Sequence, residues 1–254
     1  MRTEVFAQSF LGQRDEILKI IDNLDQLGEK VGVGKRNVVK RIPTGQMIIN
    51  VKAFKIPVLV NSLVYGHFRK SKARRSFEHA VLLLEKNIGT PEPIAFVEEK
   101  NGFGLRKSFY VCRHIDEDLS FRTLIEQPEY PDREEILRQF TRFTHHMHEH
   151  DVLFMDHSPG NTLIVKRGNG KYDFFLVDLN RMRLGVKMGF EMRMKNFARL
   201  SATEDMVKII SSEYAHITGL SKNEVGERMY YNTAANHRRR ARQNLKNRFL
   251  GKYR

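Results

Sequence analysis

The stretch Asp156-His157-Ser158-Pro159-Gly160-Asn161, followed by the apolar run Phe174-Phe175-Leu176-Val177 that ends in Asp178, decides how the rest of the chain is read. It gives an aspartate, four intervening residues, an asparagine, a short hairpin and a second aspartate after an apolar strand. Asp156 is suited to accept or orient the proton of an acceptor hydroxyl. The amide oxygen of Asn161 and the carboxylate of Asp178 suit Mg²⁺ held against nucleotide phosphates, because that ion demands hard oxygen ligands. Pro159-Gly160 sets a tight turn that brings Asn161 back beside Asp156. Each residue alone has an ordinary reading as turn former, cap or strand end. Their order and spacing together carry the chemistry.

That order is the catalytic plan of protein-kinase-like phosphotransferases, and the plan demands two upstream partners. A strand lysine should bind the α- and β-phosphates and pair with a glutamate from the following helix. Lys52, in Val51-Lys52-Ala53-Phe54, fits the lysine, and Glu78, in Ser76-Phe77-Glu78, fits the glutamate. Lys55 competes, since Ala53-Phe54-Lys55 also reads like the required strand; alternation puts the two lysines on opposite faces, so only one can face a nucleotide. The sequence favours Lys52. Gly28, Gly32 and Gly34 form a glycine-bearing stretch whose backbone N–H groups could cover phosphates, with Gly32 and Gly34 as the binding positions. A plain loop between strands fits the same spacing.

Outward from these residues, the periodicity predicts an amphipathic helix over 13–27 and β-strands over 37–42 and 47–56. A helix over 71–86 and strands over 94–97 and 108–112 follow. Asp132 with Glu135 resembles a capping box opening a helix with Ile136, Phe140, Phe143 and Met147 inward. Strands over 162–166 and 173–178 flank the turn Gly168-Asn169-Gly170, and 191–235 reads as helical. A strand-rich part, 1–112, thus precedes a helix-rich part, 113–254, joined at Cys112–His114. No internal repeat is evident.

The series as a whole resembles the bacterial lipopolysaccharide kinases of the Kdo/heptose type, within the protein-kinase-like superfamily. The resemblance runs from about Asn37 to Leu200. It rests on Asn50-Val51-Lys52, Phe68-Arg69-Lys70-Ser71-Lys72-Ala73, Thr90-Pro91-Glu92-Pro93, Asp156-x-Ser158-Pro159-Gly160-Asn161, Leu176-Val177-Asp178-Leu179-Asn180-Arg181-Met182 and Asn196-Phe197-Ala198-Arg199-Leu200. It implies an α+β, two-lobed protein-kinase-like fold, with a small antiparallel-sheet N-lobe carrying one main helix and a mainly helical C-lobe. It also implies ATP with Mg²⁺ as donor and a sugar hydroxyl of the lipopolysaccharide inner core as acceptor, phosphorylated at the cytoplasmic face of the inner membrane. The chain departs from the kinase pattern at Phe154, where His is usual two residues before the catalytic Asp. It departs again at Leu179-Asn180, where Phe-Gly is usual; Asn tolerates positive φ, so the turn stays feasible.

Composition agrees with a folded protein in a reducing compartment. Of 254 residues, 41% are hydrophobic and 29% charged, and Cys112 is the single cysteine, which excludes an internal disulfide. No run reaches the length of a membrane span and no secretory leader is evident, so the sequence reads as cytoplasmic. Lys and Arg number 44 against 30 Asp and Glu, a net charge of +14. Eight of those positive charges lie between His237 and Arg254, with no acid among them, and Arg69–Arg75 forms a second cluster. Such patches suit nucleic acid, an anionic bilayer surface or a phosphorylated glycolipid, and equally a solubilising surface; no specific nucleic acid is expected, because Phe249 and Tyr253 are the tail's only aromatics and are not regularly interleaved.

Further candidates have weaker warrants. His145, His146, His148 and His150 sit near a helix end, where cationic or capping roles need no metal. His157 reads as a substrate-phosphate contact or as exposed. Lys187, Arg193, Lys195 and Arg199 suit either an anionic acceptor or solvent. Tyr110, Cys112, Arg113 and His114 fall where an adenine slot would begin. Two other functions remain open on sequence: the same chemistry on a protein Ser/Thr/Tyr or a small-molecule alcohol, and a catalytically silent module binding a polyanion through its basic tail.

Overall fold

The computed structural model describes residues 1–31, 37–56, 70–102 and 104–249, and the chain divides into two compact units. The first comprises Met1–Asp116 with Asp178–Asn180; the second comprises Glu117–Val177 with Arg181–Arg254.

The first unit is built on an antiparallel sheet of β1 (Arg2–Phe6), β2 (Glu29–Lys30), β3 (Asn37–Pro43), β4 (Ile48–Phe54), β5 (Pro93–Asn101) and β6 (Gly104–Arg113), in the order β1-β5-β6-β4-β3-β2. Strand alternation divides its side chains between two faces. Ile49 and Val51 of β4, Ala95 and Val97 of β5 and Val111 of β6 pack with Ile17, Ile20 and Ile21 of α1 (Arg14–Asp22). Phe96, on the opposite face, meets Phe77 of α2 (Lys72–Glu85) edge to face at 5.6 Å. Ser71 caps α2 by accepting from the Arg74 N–H at 3.0 Å.

Helix α1 is shorter than the periodicity over 13–27 suggests. A 3-10 turn, Gln8–Gln13, precedes it, and Asn23 ends it by donating its side-chain amide to the Lys19 carbonyl at 2.9 Å. The Lys40 ammonium then collects the freed carbonyls of Leu24, Asp25 and Leu27 at 2.6, 3.1 and 2.8 Å. Strand β1, absent from the sequence reading, pairs with β5 from Arg2↔Glu99 to Phe6↔Ala95.

In the second unit, β7 (Leu119–Ser120), β9 (Thr162–Gly168) and β10 (Lys171–Leu176) form one sheet, while β8 (Val152–Phe154) pairs with β11 (Met182–Leu184). Helices α3 (Phe121–Glu126), α4 (Arg133–Glu149), α5 (Phe190–Phe197), α6 (Glu204–Thr218) and α7 (Lys222–Phe249) supply most of the core. Phe121 and Phe174 pack on Phe140 of α4 at 4.6 and 5.7 Å, and Phe197 meets Tyr214 at 5.3 Å. The capping box expected at Asp132 does not form. Asp132 takes a left-handed φ of 56° and its carboxylate accepts from the Tyr172 hydroxyl at 2.9 Å, while Glu135 accepts from Gln139 at 2.8 Å. Among the described residues no helix is long and apolar enough to cross a membrane.

Gly28 sets the close approach before β2. Its φ is +73°, and a Cβ there would lie 2.4 Å from Ile42 Cγ1 and 2.8 Å from the Arg41 carbonyl oxygen. Gly28→Ala should therefore destabilise the protein by about 1–3 kcal/mol, read as a drop in the denaturant midpoint. Gly12→Ala, where a Cβ meets nothing within 4 Å, should shift that midpoint far less; equal effects would remove this role from Gly28.

Candidate active site

Alternation of β4 sends Lys52 to the face opposite Val51, and its register places it across from Tyr110 on β6. There its Nζ reaches Asp178 Oδ1 at 2.6 Å, with both side chains largely buried. Lys55 lies beyond the end of β4 and is exposed. Asp178 adopts a left-handed φ of 62°, and the Asn180 amide donates to the same Oδ1 at 2.5 Å. Asn180 is thus not the positive-φ residue of the turn: the strain falls on Asp178, and the Asn side chain supports its carboxylate. His79 of α2 holds the turn from the other side, its Nδ1–H donating to the Leu179 carbonyl at 2.8 Å. Burial lowers the His79 pKa despite that bond.

Glu78 does not pair with Lys52. Its carboxylate accepts from Lys70 Nζ at 2.7 Å and Arg74 Nε at 2.9 Å, and both lie close along the chain and on the same side of α2. Burial alone would raise the Glu78 pKa, but the bonds from Lys70 and Arg74 outweigh it and hold the carboxyl below its ordinary value. Gly32 and Gly34 lie outside the described residues. Burial pushes the Cys112 thiol up to about 12, so it is an inert core side chain in β6.

In the second unit the loop after β8 carries Asp156 and Asn161. The Asp156 carbonyl accepts from the Ser158 N–H at 2.7 Å and from the Asn161 side-chain amide at 2.8 Å. The Asn161 carbonyl in turn accepts from the Val177 N–H at 3.0 Å, which ties this loop to the residue just before Asp178. With Nδ2 of Asn161 committed, its Oδ1 is left as the free acceptor. Asp178 has its described partners on Oδ1, which leaves Oδ2. An amide oxygen and a carboxylate oxygen are each hard donors of the kind magnesium takes.

His157, beside Asp156, is neither exposed nor aimed at a substrate. It is fully buried, 5.6 Å from both Phe140 and Phe154, and neither ring nitrogen has a hydrogen-bond partner among the described residues. Burial pushes its pKa down to about 3, helped by nearby His148. His148 is buried too, rather than a cationic helix end. Its Nε2–H donates to Asn196 Oδ1 at 3.1 Å, and burial pulls its pKa down to about 4. Asn196 completes the link by donating Nδ2–H to the Phe154 carbonyl at 2.8 Å. One buried amide thus joins α4, α5 and the strand that leads to Asp156. Sequence reasoning quoted Asn196 only as part of a motif.

The remaining histidines are local: His150 Nδ1 donates to the His146 carbonyl at 2.8 Å, and His145 lies 3.6 Å from Glu149. Among the described residues no group of three or more His, Cys, Asp or Glu side chains could hold a metal. Of the downstream cations, Arg193 is taken by Glu149, the Met188 carbonyl and Tyr214, whereas Lys187, Lys195 and Arg199 are exposed.

A solved structure described as WaaP in complex with acyl carrier protein matches the chain with a TM-score of 0.65, at 15% identity, over 93% of this chain and 97% of that one. The match makes this an α+β fold of the protein-kinase-like class. The lipopolysaccharide kinase (Kdo/WaaP) family model matches residues 56–218, and the chain belongs to that family. The matched span includes Glu78, Asp156, Asn161, Asp178 and Asn196 and begins just after Lys52. A search of curated proteins finds no match.

Both buried histidines are neutral in the fold, whereas in the unfolded chain they titrate near 6.5. The unfolded state therefore binds more protons below pH 6.5, so stability should fall as pH drops from 6.5 toward 4, by up to about 1.4 kcal/mol per pH unit for each group. His157→Phe should flatten the slope of unfolding free energy against pH over that window; an unchanged slope would contradict the assignment.

Proposed function

We propose that the protein transfers the γ-phosphate of ATP to a sugar hydroxyl, Kdo or heptose, of the lipopolysaccharide inner core. The observation that carries this reading is the pairing of Lys52 with Asp178; within the second unit, Asn161 is held by the Asp156 backbone. Family membership supports a kinase acting on this glycolipid.

Asp156 would orient the acceptor hydroxyl and take its proton as the oxygen–phosphorus bond forms and the bond to ADP breaks. Asn161 Oδ1 and the Asp178 carboxylate would hold Mg²⁺, which when bound neutralises charge on the phosphates. Lys52, already beside Asp178, would engage the α- and β-phosphates. The acceleration is then mainly positioning and electrostatics.

The membrane side of the proposal rests on α7. Every residue from His237 to Lys246 is exposed, including Arg238, Arg239, Arg240, Arg242 and Lys246, although Arg240 also bonds to Ser201. A helical end this basic suits the anionic inner face of the inner membrane, at about 1 kcal/mol per basic residue near the surface. Changing Arg238, Arg239 and Arg242 together to Gln should weaken binding to anionic vesicles by about fivefold per charge and reduce its salt dependence. Unchanged binding would remove α7 from membrane attachment.

Transfer of labelled γ-phosphate from ATP–Mg²⁺ to purified lipopolysaccharide precursor tests the reaction. Asp156→Asn should lose at least about 10²-fold in rate, as expected when a general base is removed. Equal labelling by wild type and variant would refute the role of Asp156, and label found only in protein would move the acceptor elsewhere.

A further inference from the structure

Two guanidinium groups lie beside the catalytic loop of the second unit. Arg181 precedes β11. Its carbonyl accepts from the Met155 N–H at 3.1 Å, and the next residue, Met182, pairs with Phe154. Its backbone is therefore fixed alongside the residues leading into Asp156. Its side chain, 64% exposed, brings Nη1 to 3.5 Å from Asp156 Oδ2. Arg122 lies beside the same loop at Gly160. It follows the buried Phe121 in α3, and a Cβ added to Gly160 would lie 3.4 Å from its Nη2 and 3.9 Å from its Nε. Its carboxylate contact, Glu126, is 4.0 Å away and exposed.

Neither contact explains its arginine. Exposed ion pairs contribute little to folding. An acceptor hydroxyl bonded to the Asp156 carboxylate would come within reach of the Arg181 guanidinium, whose Nη1 is 3.5 Å from Oδ2. A guanidinium in that position suits an anion on the acceptor. A guanidinium presents five donors in a planar fork that matches carboxylate or phosphate, so such a group would draw Arg181 off Asp156 as the substrate seats.

We propose that Arg181, with Arg122 beside Gly160, forms a subsite for an anionic substituent beside the accepting hydroxyl, either a sugar carboxylate or a phosphate on an adjoining sugar. This inference rests on the phosphotransfer reading above for the identity of the acceptor. It makes acceptor charge, and not sugar shape alone, a determinant of specificity.

Wild type, Arg181→Gln, Arg181→Lys and Arg122→Gln are compared on four glycolipids: native Kdo-bearing acceptor, the same acceptor with its carboxyl methyl-esterified, and heptose-bearing core with and without phosphatase treatment. Both KM and equilibrium binding are measured. Neutralising the relevant anion should raise the wild-type KM at least tenfold with little change in kcat, and the arm that responds identifies carboxylate or phosphate as the source. Arg181→Gln should show the same rise on the charged acceptor and no further rise on the neutralised one. Arg181→Lys should recover only part of the selectivity, because it keeps the charge without the fork. Wild type that binds the charged sugar selectively through Arg181 yet transfers no phosphate would support the subsite and overturn the phosphotransfer reading. Arg181→Gln that keeps wild-type selectivity, or loses equally on charged and neutralised acceptors, would overturn the subsite.

Discussion

The ion pair between Lys52 and Asp178 joins residues 126 positions apart and holds the turn after β10 to β4. Only 16% of the lysine side chain and 31% of the aspartate side chain is exposed, so removing either partner leaves a largely desolvated charge behind. The pair also explains a backbone cost. Asp178 occupies the left-handed region, which a non-glycine residue adopts only when its surroundings insist. Lys52 and the Asn180 amide on Oδ1, with His79 on the adjoining carbonyl, supply that insistence. These contacts place Asp178–Asn180 with the first unit, although the chain on either side belongs to the second.

Much of the fold was legible because its strands and helices carry regular apolar patterns. Lys52 lies within β4 and Lys55 just beyond its end, and the hairpin of β9 and β10 follows its apolar runs and its Gly168-Asn169-Gly170 turn. The sequence failed where a side chain had a nearer partner than the pattern allowed. Glu78 finds Lys70 and Arg74 on its own side of α2, so the expected lysine–glutamate pair is absent in this state. Asp132 finds the Tyr172 hydroxyl instead of a helix N–H. Strand β1 was missed because Arg2–Phe6 is short and charged, and only its partner β5 makes it a strand.

Histidine was the residue type least readable from spacing. A cluster near the end of α4 looks cationic, yet burial keeps His148 neutral, and His157 is a core ring between two phenylalanines. What their positions support is the Asn196 bridge to the Phe154 carbonyl, which anchors the strand leading to Asp156. A departure from the kinase pattern at Phe154 therefore has a local answer: the position keeps its apolar contacts, and its backbone carries the polar link.

Equilibrium binding of ATP with and without Mg²⁺ to wild type, Lys52→Met, Lys55→Met and Asp178→Asn tests the central claim most directly. The account predicts that Lys52→Met weakens nucleotide binding, that Asp178→Asn removes its Mg²⁺-dependent part, and that Lys55→Met binds as wild type. Loss of binding in Lys55→Met with Lys52→Met unaffected, or Mg²⁺ dependence that survives in Asp178→Asn, would contradict it.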